Sequence, residues 1–225
     1  MRSVGTVRCV PDPLPRFGDR RRTKVGLLGG SFNPAHEGHR HVAELALRHL
    51  GLDQVWLLVS PGNPLKSVKG MAPLADRVAG AARIGDGRRV IASAIEAEFG
   101  TRYSVDTLRV LRQRFPRVLF VWIMGADILT QLPRWRRWRD IARDLAFAVL
   151  PRPGHTKPAL AGQAARCLRG RRRPAHEAPI LSRSRSGWVF LPTPQNATSA
   201  SAIREANHST GRPNRHLAGI KGAVS

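Results

Sequence analysis

Two histidines stand three residues apart just after a pair of glycines, in the run Gly29-Gly30-Ser31-Phe32-Asn33-Pro34-Ala35-His36-Glu37-Gly38-His39. Residues at that spacing share one face of a helix, so both imidazoles can address the same ligand. Glycines at a strand-to-helix turn let the backbone bend tightly and let a ligand come close. The start of a helix offers unpaired N–H groups and the positive end of the peptide dipole, which suits phosphate. Gly38 lacks a side chain that would obstruct the approach between the histidines. Imidazole N–H donors held there can stabilise charge developing on a phosphate in transfer.

Other chemistries fit this run less well. A zinc site needs a third and a fourth ligand, and no nearby carboxylate or cysteine pattern supplies them. The run lacks G-x-G-x-x-G, so it is not a dinucleotide fingerprint. No G-K-[ST] follows, so it is not a Walker A loop. A histidine pair on ordinary surface is the plain alternative, and the strand–turn–helix context argues against it.

The elements that must position this run can be read from periodicity. Lys24–Leu28 is a short apolar strand leading into Gly29-Gly30. His39–Leu50 repeats apolar residues at helical spacing, with Gly51 as the stop. Strands are expected at Gln54–Val59, Arg89–Ala92, Val118–Ile123, Leu145–Leu150 and Trp188–Leu191. Helices are expected at Pro73–Ile84, Ser104–Phe115 with Ser104 as N-cap, Arg134–Arg143 and Ser199–Asn207. Strands alternating with helices predict an α/β fold: a Rossmann-like, doubly wound parallel sheet with helices on both faces. In such sheets ligands bind beyond the C-terminal strand ends, and each motif discussed here falls at such an end.

The chain of 225 residues suits one α/β domain, here expected over residues 23–207. Lys and Arg number 38 against 15 Asp and Glu, a formal net charge of +23. Residues 1–22 hold six arginines and two aspartates and read as a disordered leader. Residues 152–187 hold nine basic residues and one acid, are rich in Pro and Gly, are only weakly periodic outside Ala159–Leu168, and read as a basic insertion of mobile surface. Residues 208–225 read as a polar tail. Much of the surplus charge therefore falls outside the regular elements. An arginine-rich solvated surface explains it better than nucleic-acid binding, and no RRM, KH or zinc-finger signature is present. No apolar run is long enough for a transmembrane helix. The N-terminus lacks the apolar core of a secretory signal. Cys9 and Cys167 suggest neither a metal site nor a disulfide framework. A cytoplasmic location is expected.

A second run near the end, Thr198-Ser199-Ala200-Ser201-Ala202-Ile203-Arg204, offers a natural N-cap in Ser199 and an arginine on the first turns of a helix. An arginine fork there can grip a departing pyrophosphate. Together the two runs resemble the paired signatures of the nucleotidylyltransferase superfamily, GG-[ST]-F-[DN]-P-x-H-x-G-H and I-S-S-T-x-I-R. The second departs from its pattern at Thr198, Ala200 and Ser201, but keeps a hydroxyl at Ser201 and the arginine.

Further segments resemble nicotinate-nucleotide adenylyltransferase in particular. They are Ser60-Pro61-Gly62-Asn63-Pro64-Leu65-Lys66, Arg102-Tyr103-Ser104-Val105-Asp106-Thr107-Leu108, Met124-Gly125-Ala126-Asp127, Leu132-Pro133-Arg134-Trp135 and Arg152-Pro153-Gly154. The resemblance covers roughly residues 24–154 and 188–205. It implies in-line attack of a mononucleotide phosphate on the α-phosphorus of ATP, with pyrophosphate leaving and no covalent enzyme intermediate. His36, His39 and Arg204 would be catalytic. ATP would meet Gly29, Gly30, Ser31, Phe32, His36, His39, Gly125, Asp127, Ser201, Ile203 and Arg204. Nicotinate mononucleotide would meet Ser31, Asn33, Lys66, Tyr103, Ser104 and Trp135.

The residue types suit these roles. Trp135 can stack on a pyridine ring. N–H groups at the Tyr103-Ser104 helix start can hold a carboxylate, with Arg102 and Arg134 near in sequence. Asp127 can take a ribose hydroxyl. Each also has a plainer reading: a half-buried surface tryptophan, a simple N-cap for Tyr103-Ser104 and again for Asp127, an exposed lysine for Lys66. Magnesium would come with ATP, since no carboxylate cluster suggests a site held by the protein. The expected partners are the two nucleotides, with a homo-oligomer left open. Nicotinamide mononucleotide or phosphopantetheine as acceptor, and an inactive relative, are the alternatives within this class.

Overall fold

The computed structural model describes residues 12–62, 70–184 and 186–194. Seven parallel strands form one sheet in the order β3-β2-β1-β4-β5-β7-β6. They are β1 (Lys24–Gly30), β2 (Gln54–Val59), β3 (Val90–Ser93), β4 (Leu119–Gly125), β5 (Ala146–Leu150), β6 (Arg172–Arg173) and β7 (Trp188–Phe190). The helices are α1 (Glu37–His49), α2 (Leu74–Ile84), α3 (Ile95–Glu98), α4 (Ser104–Arg114), α5 (Ala126–Gln131), α6 (Trp138–Asp144), α7 (Thr156–Ala161), α8 (Gln163–Cys167) and α9 (Ala178–Leu181). The doubly wound parallel sheet expected from the sequence is present. Among the described residues no helix is long and apolar enough to cross a membrane.

The inner strands β1, β2, β4 and β5 are almost wholly apolar because both faces are covered; β6 at the edge is an exposed arginine pair. Alternate residues enter two separate cores. Leu27, Trp56, Phe120, Trp122 and Phe147 face α4, α5 and α6. Leu28, Val55, Leu57, Ile123 and Ala148 face α1, α2 and α9. Trp56, Phe115 and Phe120 pack edge to face, with centroids 5.2 to 6.5 Å apart, an arrangement the ring quadrupoles favour.

Several expectations are corrected. The first long helix begins at Glu37, with His36 as its N-cap, two residues before the expected His39. Tyr103, not Ser104, is the N-cap of α4. The helix expected over Arg134–Arg143 is broken: a 3-10 turn covers Leu132–Arg134 and α6 starts at Trp138, because Arg137 takes a left-handed backbone at φ 53°. The expected leader reaches into the domain. Leu14 is buried in the first core, and Asp12 accepts hydrogen bonds from the Ser93 hydroxyl and the Ala94 N–H at the end of β3. The basic segment 152–187 contains α7, α8, β6 and α9, and buries Ala159, Ala164, Ala165, Ala178 and Leu181. It forms an edge of the fold while Arg166, Arg169, Arg171, Arg172, Arg173 and Arg183 stay exposed. The expected helix Ser199–Asn207 and the tail lie outside the described residues.

Candidate active site

The site is built where β1, β4 and β5 end. Gly30 leads into the loop of residues 31–35 and then α1. Phe32 holds a left-handed backbone at φ 48° and is 2% exposed. Only firm surroundings keep a bulky residue there. A Cβ on Gly30 would come within 3.2 Å of the Phe32 ring, and one on Gly29 within 3.3 Å of Trp122. The glycine pair therefore makes room for two rings.

His36 and His39 cap α1 reciprocally. The Gly38 N–H donates to His36 Nδ1 at 3.1 Å, and the His36 N–H donates to His39 Nδ1 at 3.3 Å. This is a capping box made of two imidazoles. Because each Nδ1 accepts, the proton of each neutral ring resides on Nε2. The two rings lie 3.9 Å apart between centroids, and His39 lies 4.7 Å from Phe32. Burial, with the nearby Arg152 charge, lowers the His36 pKa to about 4. Burial, then His36 and Arg152, lowers that of His39 to about 3. Both rings are thus neutral donors at neutral pH.

Two further residues join them. Asp127 lies in the first turn of α5 and Arg152 just past β5. Arg152 Nε sits 3.7 Å from Asp127 Oδ1, a carboxylate oxygen with no hydrogen-bond partner among the described residues. A Cβ on Gly125 would meet that oxygen at 2.4 Å and Arg152 Nε at 2.9 Å, so a side chain there would displace both groups. The sequence reading quoted Arg152 without assigning it a role. Its place beside Asp127 depends on pairing of β4 with β5, which no local pattern encodes.

The proposed acceptor side is held differently. The Arg136 guanidinium lies 4.9 Å from the centre of the Tyr103 ring and 3.7 Å from Asp106, which Arg109 also approaches at 3.6 Å. Arg136, rather than Arg102 or Arg134, is thus the cation that contacts Tyr103. No side chain caps the first turn of α4. The turn before Tyr103 is fixed by Thr101, Thr107 and Glu96: the two hydroxyls are 2.7 Å apart and Thr107 donates to Glu96 at 3.1 Å. Burial raises the Glu96 pKa. Trp135 packs partly into the core, edge-on to Trp122 at 5.8 Å. Trp122 therefore connects Trp135 to the glycine turn.

Asn33 is occupied structurally. Its amide donates to the Gly70 carbonyl at 3.1 Å and accepts from the Ala72 N–H at 3.2 Å. His41, on α1, contacts the Pro194 carbonyl at 3.1 Å and so holds the segment that leads towards the second motif. Lys66, Ser201, Ile203 and Arg204 lie outside the described residues. Arg77, which sequence reading missed, is buried on α2 with its guanidinium bonded to the surrounding loops. An arginine in line with the buried Ala81 is the one faint signal for it.

A parallel sheet with a glycine turn, a helix start and two neutral imidazoles at its strand ends defines a nucleotide-binding α/β protein directed at phosphate chemistry. The chain belongs to the cytidylyltransferase-like family, which matches residues 27–206. It is 58% identical over 184 residues to a probable nicotinate-nucleotide adenylyltransferase of Gluconobacter oxydans, covering 81% of this chain and 94% of that one. It is 54% identical over 183 residues to the protein of the same name in Parvibaculum lavamentivorans, covering 81% and 91%. Its fold resembles that of Plasmodium falciparum nicotinic acid mononucleotide adenylyltransferase complexed with APC, with a TM-score of 0.59, 14% identity and coverage of 81% and 83%. The same protein complexed with NaAD gives 0.60, 15% identity and coverage of 80% and 82%.

Proposed function

We propose that this protein transfers AMP from ATP to nicotinate mononucleotide, giving nicotinate adenine dinucleotide and pyrophosphate in NAD biosynthesis. The observation that carries the reading is the reciprocal cap of His36 and His39, which leaves two neutral Nε2–H donors at a helix start. The names of its relatives supply the two substrates.

A phosphate oxygen of the mononucleotide attacks the α-phosphorus of ATP. A new P–O bond forms as the α–β anhydride breaks, and the bonding pair leaves on pyrophosphate. No protein group is covalently modified. Catalysis is positioning plus charge stabilisation. The histidines, neutral throughout, donate hydrogen bonds to the phosphate that gains charge. The backbone from Gly29 to Phe32 approaches the phosphates. Asp127, released from Arg152, takes a ribose hydroxyl. Trp135 faces the pyridine ring, and the Tyr103-Ser104 turn with Arg136 meets its carboxylate. Asn33 acts indirectly, through the loop it holds. Roles for Lys66, Ser201, Ile203 and Arg204 rest on the motif resemblance alone.

Magnesium would come bound to the triphosphate. When bound, it would screen the charge of the phosphates. The reading implies a cytoplasmic enzyme, where ATP is supplied.

A pyrophosphate-release assay with ATP and either the acid or the amide mononucleotide tests this. The acid should exceed the amide in kcat/KM by at least about a hundredfold, since a site paired to a buried group rejects the mismatched analogue. Equal efficiencies would remove the acid assignment and leave adenylyl transfer standing. No release with any mononucleotide would remove both.

A further inference from the structure

Arg77 is 4% exposed, on the second turn of α2. Burying a guanidinium is costly unless its N–H groups are satisfied. Here Nε donates to the Ala72 carbonyl at 2.9 Å. One terminal nitrogen donates to Ser31 at 2.9 Å and to Ser60 at 2.7 Å, and the other reaches Pro61 at 3.4 Å. All four acceptors are neutral carbonyls, and among the described residues no carboxylate pairs with Arg77.

These carbonyls come from three segments: the loop after β1, the loop after β2 and the approach to α2. Only a rigid planar fork gathers acceptors from several directions at once. In a trans peptide the N–H points opposite to the carbonyl before it. The Ser31 carbonyl points at Arg77, so the Phe32 N–H points away from it. The Pro61 carbonyl does likewise, so the Gly62 N–H points away. Neither N–H is spent on a hydrogen bond among the described residues. Both lie where the chain leaves β1 and β2, at the ligand end of the sheet.

We propose that Arg77 is a positioning residue, whose clasp on the Ser31 and Pro61 carbonyls turns the Phe32 and Gly62 N–H groups outward as a preformed cradle for the phosphate of the acceptor nucleotide. The proposal deepens the adenylyltransferase reading and rests on it for the identity of the acceptor; it gives the Phe32 N–H to the acceptor phosphate, where the motif resemblance gave Phe32 to ATP. The uncompensated guanidinium behind the loops adds positive potential at the same place.

Arg77→Lys and Arg77→Gln test it, with KM measured separately for each substrate. Lysine keeps the charge and loses the fork. The expected result for folded protein is a rise in KM for nicotinate mononucleotide of roughly tenfold or more, as misplacement of binding groups produces, with KM for ATP nearly unchanged. Folded variants that keep the wild-type KM for the mononucleotide overturn the proposal. So does a fall in kcat alone, which is what a merely structural role would give. A second readout needs no turnover and no variant. Inorganic phosphate titrated into the wild-type protein should shift the amide NMR signals of Phe32 and Gly62, and unmoved signals overturn the proposal. If phosphate shifts them while no mononucleotide supports pyrophosphate release, the cradle stands and the functional reading fails.

Discussion

The glycine-turn side and the proposed acceptor side of the site are held by different means. Around His36 and His39 the cap is made of bonds to backbone, each imidazole Nδ1 accepting from the N–H of Gly38 or of His36. Around Tyr103 and Trp135 the contacts are a guanidinium over one ring, ring edges, and ion pairs of 3.6 to 3.7 Å with exposed arginines. Backbone bonds fix direction, whereas exposed pairs contribute little and are screened by salt. The first side suits the stabilisation of transition-state charge, which must be in place beforehand. The second suits recognition of an acceptor that brings its own ring and carboxylate.

If that division holds, substitutions on the two sides should fail in different ways. His39→Ala removes a fixed donor. It should lower kcat by at least about a hundredfold, roughly 2.7 kcal/mol of transition-state stabilisation, with circular dichroism confirming the fold. Near-normal turnover in the folded variant would place the chemistry elsewhere. Trp135→Ala should act through binding. KM for the mononucleotide should rise about tenfold, on the scale of one aromatic contact, while KM for ATP stays nearly constant. A selective loss of ATP affinity would mean that the two substrates are placed the wrong way round.

The smallest effect is expected far from both sides. Arg171, Arg172 and Arg173 sit on the sheet edge, bonded to the Ala142 carbonyl, laid over Trp188 and paired with Glu177 respectively. Replacing all three with serine should leave turnover within about twofold and lower the melting temperature by a few degrees, as losses at exposed contacts do. A large loss of activity at unchanged stability would bring this edge into substrate binding.

The sequence showed the histidine side more fully than the acceptor side, for physical reasons. Apart from the arginine pair of β6, which no apolar pattern marks, the strands are largely apolar runs, so most of their limits were readable to within a residue or two. His36 and His39 could be placed at a helix start because glycines and spacing are local signals. That His36 is itself the cap could not be read, since Ser, Thr, Asp and Asn are the usual N-caps. Arg77 was hidden because an arginine reads as surface until its burial is seen. Arg152 and Asp127 lie far apart in sequence and meet only through strand pairing. The break at Arg137 depends on a left-handed backbone that its residue type does not announce. In residues 152–187, arginines and Gly162 obscured short helices whose few buried alanines carry the packing.

The most direct test is the state of the two imidazoles themselves. Nitrogen NMR of the histidines at pH 7 should find both rings neutral, each with its proton on Nε2 and a bare Nδ1 accepting the cap. On acidification neither should titrate until well below the ordinary value near 6.5, with His36 near 4 and His39 near 3. Both pKa values are lowered by folding, so their contribution is complete above about 6.5 and is lost as the pH falls towards those values. A His36 or His39 that protonates near 6.5, or that carries its proton on Nδ1, would contradict the claim that the cap prepares two neutral donors for the transferred phosphate.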